Sequence, residues 1–429
     1  MLDQYFKLSE NGTTARREVI AGVTTFLTLA YIIFVNPAIL SDAGMDHGAV
    51  FVATCLAAAI GTAIMGFYAN YPVALAPGMG LNAYFTYGVV LGMGYTWQVA
   101  LGAVFISGVL FLILSLLPVR EWIINAIPRS LKIAISAGIG LFLAIIALKN
   151  AGIVVDHPAT LVTLGDLTAW PPILASAGFI LIAVLTARSV PGAIIIAILL
   201  VTMSGVMLGV SEGGGIVSMP PSIAPTFLQM DVVGALNVGL IAIVFAFLFV
   251  DLFDTAGTLV GLAHRAGMLD ADGRLPRLRK ALMADSTATV AGAMLGTSTT
   301  TSYIESASGM NAGGRTGLTA VVVAVLFLAA LFFAPLAGIV PAYATAPALL
   351  FVACLMVRGL AEIDWDDVTD VAPCVITAIS MPLTFSIATG IGFGFISYAV
   401  IKLLGGRGHE VGAAVWVLAG LFVIKFAVL

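Results

Sequence analysis

Residues 240–261 read LIAIVFAFLFVDLFDTAGTLVG, a run apolar enough for a bilayer interior that nonetheless carries two carboxylates, Asp251 and Asp254. Residues three apart share a helix face, so both acids can look into one cavity. An ionisable side chain in hydrocarbon costs several kcal/mol unless it is paired or faces water, which makes it a functional candidate by default. A further acid, Glu305, lies in the interrupted apolar stretch GTSTTTSYIESASG, residues 296–309. The rest of the chain reads as a scaffold that brings these two stretches together.

Of the 429 residues, 61% are hydrophobic and only 9% charged, where a soluble domain carries about a quarter charged residues. That balance excludes a soluble globular protein, and the alternating strands of an outer-membrane barrel are missing. At about 20 residues per crossing, the chain has room for a dozen or more helices, so the expected class is an all-α polytopic membrane protein. Cys55, Cys354 and Cys374 lie in apolar runs without CxxC spacing, which argues against a disulfide framework and a metal site. No cofactor is called for. The net charge of −4, spread over loops, gives no reason for a nucleic-acid partner. The polar start MLDQYFKLSENGTTARREV carries no signal-peptide pattern, so the first helix is expected to act as an uncleaved insertion signal.

Fourteen crossings are expected, at 20–40, 50–68, 73–91, 97–117, 131–148, 173–186, 192–210, 238–262, 280–295, 301–313, 318–340, 346–360, 371–386 and 390–404. An interfacial segment, 120–128, precedes the fifth. The last stretch, 411–429, is either a fifteenth crossing or a helix lying against the bundle. With the N-terminus cytoplasmic, all but two of the 18 lysines and arginines, Lys149 and Lys425, fall on the inner side, in accord with the positive-inside rule. The expected location is therefore the cytoplasmic membrane, with multiple passes.

The chain also repeats itself. The third segment opens with a break, YPVALAPGMGLNAYF (residues 71–85), and the tenth with LGTSTTTSYIESASG (residues 295–309); Pro77 and Ser298 are the matching points. Seven helices is an odd number, so the second copy enters the membrane upside down. Inverted repeats with discontinuous helices at the midplane mark secondary transporters. The expected architecture is a 7+7 inverted repeat.

Several residues are candidates for chemistry. Asp254 and Asp251 suit a polar substrate and proton coupling; the alternative is bracing of neighbouring helix ends. Glu305 follows hydroxyl residues that can line a polar cavity or satisfy freed backbone groups at a helix break, and the alternative is helix capping. Asn82, in APGMGLNAYF, offers both a donor and an acceptor. Tyr84 and Phe85 follow it, and a flat ring there can stack on a planar ligand or simply pack. Asp285, in KALMADSTATVAG, either links the acid pair to the cytoplasm or bonds across helices. Glu18 and Glu362 read as ordinary interfacial charges.

Four stretches together resemble one family: FKLSENGTTARREVIAGVTTFLTLAYIIFVNPAIL, APGMGLNAYF, DLFDTAGTLVG and GTSTTTSYIESASG. They resemble the purine permeases, specifically the azaguanine-like guanine/hypoxanthine/adenine branch of the nucleobase–cation symporter superfamily. The resemblance implies a core domain (1–118 and 231–340) and a gate domain (119–230 and 341–429). Short strands in the broken third and tenth segments would meet at the substrate site. Substrate contacts would come from Asp254, Glu305, Asn82, Phe85, Thr258 and Thr301, and proton coupling from Asp251, Asp254, Asp285 and Glu305. Thr258 departs from the uracil and xanthine branch, which often places His or a charged residue there. A homodimer is also implied.

The leading reading is a proton-coupled purine importer working by alternating access. An anion transporter of the same fold is the alternative, and a midplane with three acids and no base tells against it. No HExxH, His/Cys cluster or Ser/Lys dyad supports a membrane enzyme. A simple channel does not account for the broken inverted repeat.

Overall fold

Apolar runs become helices here, and several of them start at a capping side chain. The computed structural model describes residues 2–117, 127–236, 238–268 and 275–428. The first half opens with α1 (Leu2–Phe6), α2 (Ala15–Leu29), α3 (Ile32–Asp42) and α4 (His47–Ile64), with a π-type turn at Met65–Ala69. Strand β1 (Leu75–Pro77) leads into α5 (Met79–Ala83), a second π-type segment (Tyr84–Gly92) and α6 (Trp97–Leu116). Next come α7 (Arg129–Asn150), β2 (Val154–His157), β3 (Leu161–Leu164), α8 (Trp170–Ala187) and α9 (Ala193–Met207). The second half holds α10 (Val238–Ala266), α11 (Leu278–Leu295), β4 (Thr300–Ser302), α12 (Ser306–Asn311), α13 (Gly317–Ala330) and α14 (Ala334–Gly338). It closes with α15 (Ala342–Val357), α16 (Val368–Thr384), α17 (Ile387–Leu404) and α18 (Ala413–Val428).

Among the described residues, nine helical stretches are long and apolar enough to cross a membrane. Thr14, Asp46, Thr96 and Thr316 cap α2, α4, α6 and α13 by accepting a first-turn N–H, which satisfies groups that lipid cannot. A continuous apolar core joins Tyr31, Phe51, Phe85, Phe142 and Phe327. A second cluster, around Phe111, Leu248, Leu259 and Leu282, seats α10 and α11. The third and tenth expected helices are each split into a strand and a short helix. The β2–β3 hairpin, paired from Val154↔Leu164 to His157↔Leu161, was not expected: its short run alternates too weakly to stand out from an apolar chain. Most of the expected segment 120–128 lies outside the described residues. The final stretch forms α18 and packs on α17, with Phe395 and Phe422 stacked at 6.4 Å.

Glu18 is not the interfacial charge its position implied. It is wholly buried and caps the N-terminus of α13, accepting from Arg315 N (2.9 Å), Thr319 N (3.2 Å) and the Thr319 hydroxyl (2.7 Å). A carboxylate at a helix N-terminus meets unpaired N–H groups and the favourable end of the dipole. Glu18→Ala strands several buried donors, so a loss of roughly 1–3 kcal/mol of stability is expected. A thermal unfolding scan in detergent checks this, with Glu18→Gln the milder variant.

An ion network ties α16, α17 and the turn that precedes α18. Nearly buried Lys402 reaches Asp370 (2.8 Å) and Glu410 (3.0 Å), and Arg407 reaches Asp367 (2.6 Å) and Glu410 (2.7 Å). Hydrogen bonds from Arg407 and Lys402 hold the Glu410 carboxyl down at about 2. Bonds from Thr369 and Arg407 hold Asp367 well below the carboxylate range. A depressed carboxylate stabilises the fold above its unfolded value, near 4, and that contribution is lost as pH falls through the folded value. The Tm gap between wild type and Glu410→Gln should therefore stay constant from about pH 8 to 5 and close towards pH 2.

Candidate functional site

The two broken helices meet through their strands. β1 and β4 pair antiparallel, Leu75↔Ser302, Ala76↔Thr301 and Pro77↔Thr300. Gly78 N donating to Thr299 O and Tyr303 N donating to Ala74 O, both 2.9 Å, extend the ladder. Each strand has a hydroxyl clamp from a neighbouring helix. Thr62 of α4 donates to Leu75 O and accepts from Leu75 N, at 2.9 Å each. Thr289 of α11 donates to Thr300 O (2.9 Å) and accepts from Thr300 N (3.3 Å). Extended backbone at membrane depth survives only when its polar groups are satisfied in this way. The hydroxyl run 297–302 is buried throughout.

On α10, the period of the helix separates two faces. Asp254, Gly257, Thr258 and Gly261, spaced i, i+3, i+4, i+7, share one stripe. Asp254 is open to water yet surrounded by protein, which places it on the wall of an internal cavity. A Cβ built at Gly257 or Gly261 meets nothing within 4 Å, so the open space continues along the stripe towards the end of α10 that precedes the basic loop. Glu305, partly accessible, sits just ahead of α12 within electrostatic reach of Asp254. Thr301 hydrogen-bonds the Asp254 carboxylate and the Thr255 hydroxyl, the latter at 2.8 Å. Asp254, Glu305, Thr301 and Thr258 are thus gathered where α10, β4 and α12 converge.

Asn82 and Phe85 stand apart from this wall. Both are wholly buried. The Asn82 amide donates to the Asn36 side-chain Oδ1 and accepts from the Ser298 hydroxyl. Asn36 in turn donates to Thr54 (2.7 Å) and Thr297 (2.9 Å). Asn82 therefore fastens both helix breaks to α3 and α4 behind the cavity. Asp251 and Asp285 are also fully buried, turned into the packing against α11 and β4, where the Thr289 hydroxyl lies 3.1 Å from Asp251 Oδ2 and Ser302 donates to Asp285 (3.1 Å).

Three contributors escaped the sequence reading. Tyr31, at the α2–α3 break, donates to Glu305 Oε1 at 2.7 Å; a tyrosine in an apolar run is itself a signal, since its hydroxyl needs a partner. Asn36 next to Pro37 marks polarity inside a membrane-grade helix. Thr289 gives no local signal. Two grooves elsewhere, one lined by Phe179, Pro347 and Leu350 and the other by Leu141, Trp365 and Ile379, are almost wholly apolar and touch none of these acids.

A discontinuous-helix bundle with acids at the break defines a membrane transport protein. Its fold matches the transmembrane domain of a cyanobacterial bicarbonate transporter, BicA, with a TM-score of 0.65 over 88% of this chain and 96% of that one, at 16% identity. The family model Xan_ur_permease, described as Permease family, matches residues 16–393. The chain is 51% identical to the adenine permease AdeP of Escherichia coli, over 99% of this chain and 96% of that protein. It is 46% identical to the guanine/hypoxanthine permease PbuG of Bacillus subtilis, over 98% of each. The chain belongs to this permease family: it is a multi-pass membrane permease.

Proposed function

We propose that this permease imports purine nucleobases across the cytoplasmic membrane by proton symport with alternating access. The observation that carries the reading is the pairing of Asp254 and Glu305 at the meeting of two broken helices, with an open stripe leading away. Purines present ring N–H donors along a flat edge, and carboxylates accept such bonds more strongly than neutral groups do. Thr258 and Thr301 add hydroxyls to that wall. Asn82 and Phe85 act in this reading by holding the breaks in place. The permeases named above act on adenine and on guanine or hypoxanthine, which supports a purine as the substrate class.

Fourteen crossings in a 7+7 inverted repeat, with core (1–118, 231–340) and gate (119–230, 341–429) domains, frame the proposal. Thr62 on β1 and Thr289 on β4 make equivalent clamps, which supports the repeat. Placement of the basic loops inside supports a cytoplasmic N-terminus. The anion alternative is disfavoured, because Asp251, Asp254, Asp285 and Glu305 would all repel an anion and the likeness to a bicarbonate transporter concerns fold alone. The test is uptake of radiolabelled adenine, guanine, hypoxanthine, xanthine and uracil into purine-transport-deficient cells, with and without a protonophore. Saturable, protonophore-sensitive purine uptake is expected, and the ranking of bases names the substrate. No uptake by a well-expressed protein refutes the reading.

A further inference from the structure

Two chain connections run side by side at the end of the bundle away from the basic loop. One leads from α9 to α10, and the other lies between α13 and α15. They pair in antiparallel order. The Ser211 hydroxyl lies 2.6 Å from the Tyr343 hydroxyl of α15. A Cβ built at Gly214 would lie 2.6 Å from Ile339 Cγ2, and one at Gly215 would lie 3.7 Å from Pro335 Cβ. Ser218 N then donates to Phe332 O at 3.0 Å. From Ser218 onward the first connection is fastened to the ends of α4, α6 and α11. Pro221 packs on Gly48 in the first turn of α4. Thr226 donates to Leu295 O (3.0 Å) and Leu228 N to Met294 O (2.8 Å), both at the end of α11. Asp231 N donates to Gln98 O (2.9 Å) at the start of α6. Between the anchors at Ser211 and Ser218 stand Gly213, Gly214 and Gly215, all exposed. In the other connection Gly338, where a built Cβ meets nothing within 4 Å, precedes Ile339.

We infer that the two connections form one paired hinge on which the core moves against the gate, bending at Gly213–Gly215 in one segment and at Gly338–Ile339 in the other. The inference rests on the proposed alternating access and locates its joint. Hinges are a few residues that absorb backbone rotation between rigid bodies, and glycine accepts rotations that a Cβ would resist. Gly214 answers a second need, because a side chain there would push the two connections apart. Each end of the pair is held by one body: Ser211 and Tyr343 on the gate side, Ser218 and Phe332 on the core side.

The mechanical boundary of the domains then falls at Gly213–Gly215 and not at residue 230. Residues 218–230 travel with the core as a strap across the ends of α4, α6 and α11. Gly296 closes α11 in the left-handed region, at φ 100°, directly against Thr226 of the strap. The strap thus braces α11, the helix whose Thr289 clamps β4, and the paired strands can move as one block with the site they carry.

The test places cysteine pairs in the full chain with Cys55, Cys354 and Cys374 replaced, and follows purine uptake before oxidation, after it and after added reductant. Gly48→Cys with Pro221→Cys brings Cβ atoms 3.2 Å apart and ties the strap to α4, close to the spacing a disulfide needs. This pair should cross-link and leave uptake unchanged. Gly80→Cys with Ile139→Cys, Cβ atoms 3.7 Å apart, ties α5 of the core to α7 of the gate and should stop uptake until reductant is added. Gly213→Pro with Gly215→Pro fixes φ at two hinge positions. It should lower maximal uptake about 10-fold while equilibrium base binding to the purified protein stays unchanged, a split that a folding defect does not give. Loss of uptake on closing the Gly48–Pro221 pair overturns the inference, because the strap then moves with the gate. Failure of that pair to cross-link overturns it too, and so does full-rate uptake by the proline variant. Uptake that continues with the Gly80–Ile139 pair closed refutes core-against-gate movement itself. Absence of purine uptake by the wild type refutes the proposed function, a result distinct from all of these.

Discussion

Asp254→Asn and Glu305→Gln are each expected to abolish uptake and to weaken base binding by about 10- to 100-fold, the equivalent of losing a hydrogen bond to a charged group. The reasoning is geometric. Asp254 lies on the accessible face of α10 and Glu305 at the start of α12, and Thr301 and Tyr31 hold one side of each carboxyl. The free sides are therefore left to a ligand. An amide of nearly equal size turns a donor towards the ring N–H in place of one acceptor lone pair, so affinity falls while packing is kept. Thr258→Val, on the same stripe, costs less because a hydroxyl makes a weaker, neutral bond. Isothermal calorimetry on the purified variants checks the ranking.

Gly257→Trp and Gly261→Trp are expected to reduce transport to background while leaving the protein folded. Open space surrounds a Cβ at either position, so an indole can enter without moving backbone, and it then fills the route that leads from Asp254. Contrast Gly66 and Gly317, where a built Cβ would lie 2.7 Å and 2.0 Å from the facing carbonyl oxygen. Protein interiors are close-packed, so Gly317→Ala is expected to fail at folding and not at transport. Uptake together with a monodisperse size-exclusion profile separates the two classes: folded and inactive for the α10 glycines, unfolded for Gly317.

What the sequence could reveal follows from how far each interaction reaches. Helical period placed Asp251 and Asp254 on one turn, but period alone does not say which side of that turn meets open space; packing against α11 and β4 buried the first and left the second accessible. The breaks at Pro77 and Ser298 were legible because proline, glycine and a run of hydroxyls interrupt apolar sequence. Their pairing as strands was implied only by resemblance. Asn82 was read as a ligand contact from its place in a break, whereas its amide is spent on Asn36 and Ser298, partners 46 and 216 residues away. Glu18 looked like an ordinary helix-end charge because its partners begin 297 residues on. Local patterns reveal where polarity is unusual; only the assembled bundle shows what satisfies it.

The central claim is that this permease holds a purine at Asp254 and Glu305. Equilibrium binding of radiolabelled adenine, guanine and hypoxanthine to the purified wild type and to Asp254→Asn, with uracil and bicarbonate as competitors, tests it most directly. Saturable binding of at least one purine, weakened about 10- to 100-fold in the variant and undisturbed by bicarbonate, is the predicted result. Binding of bicarbonate with no purine bound, or purine binding of unchanged affinity in Asp254→Asn, would contradict it.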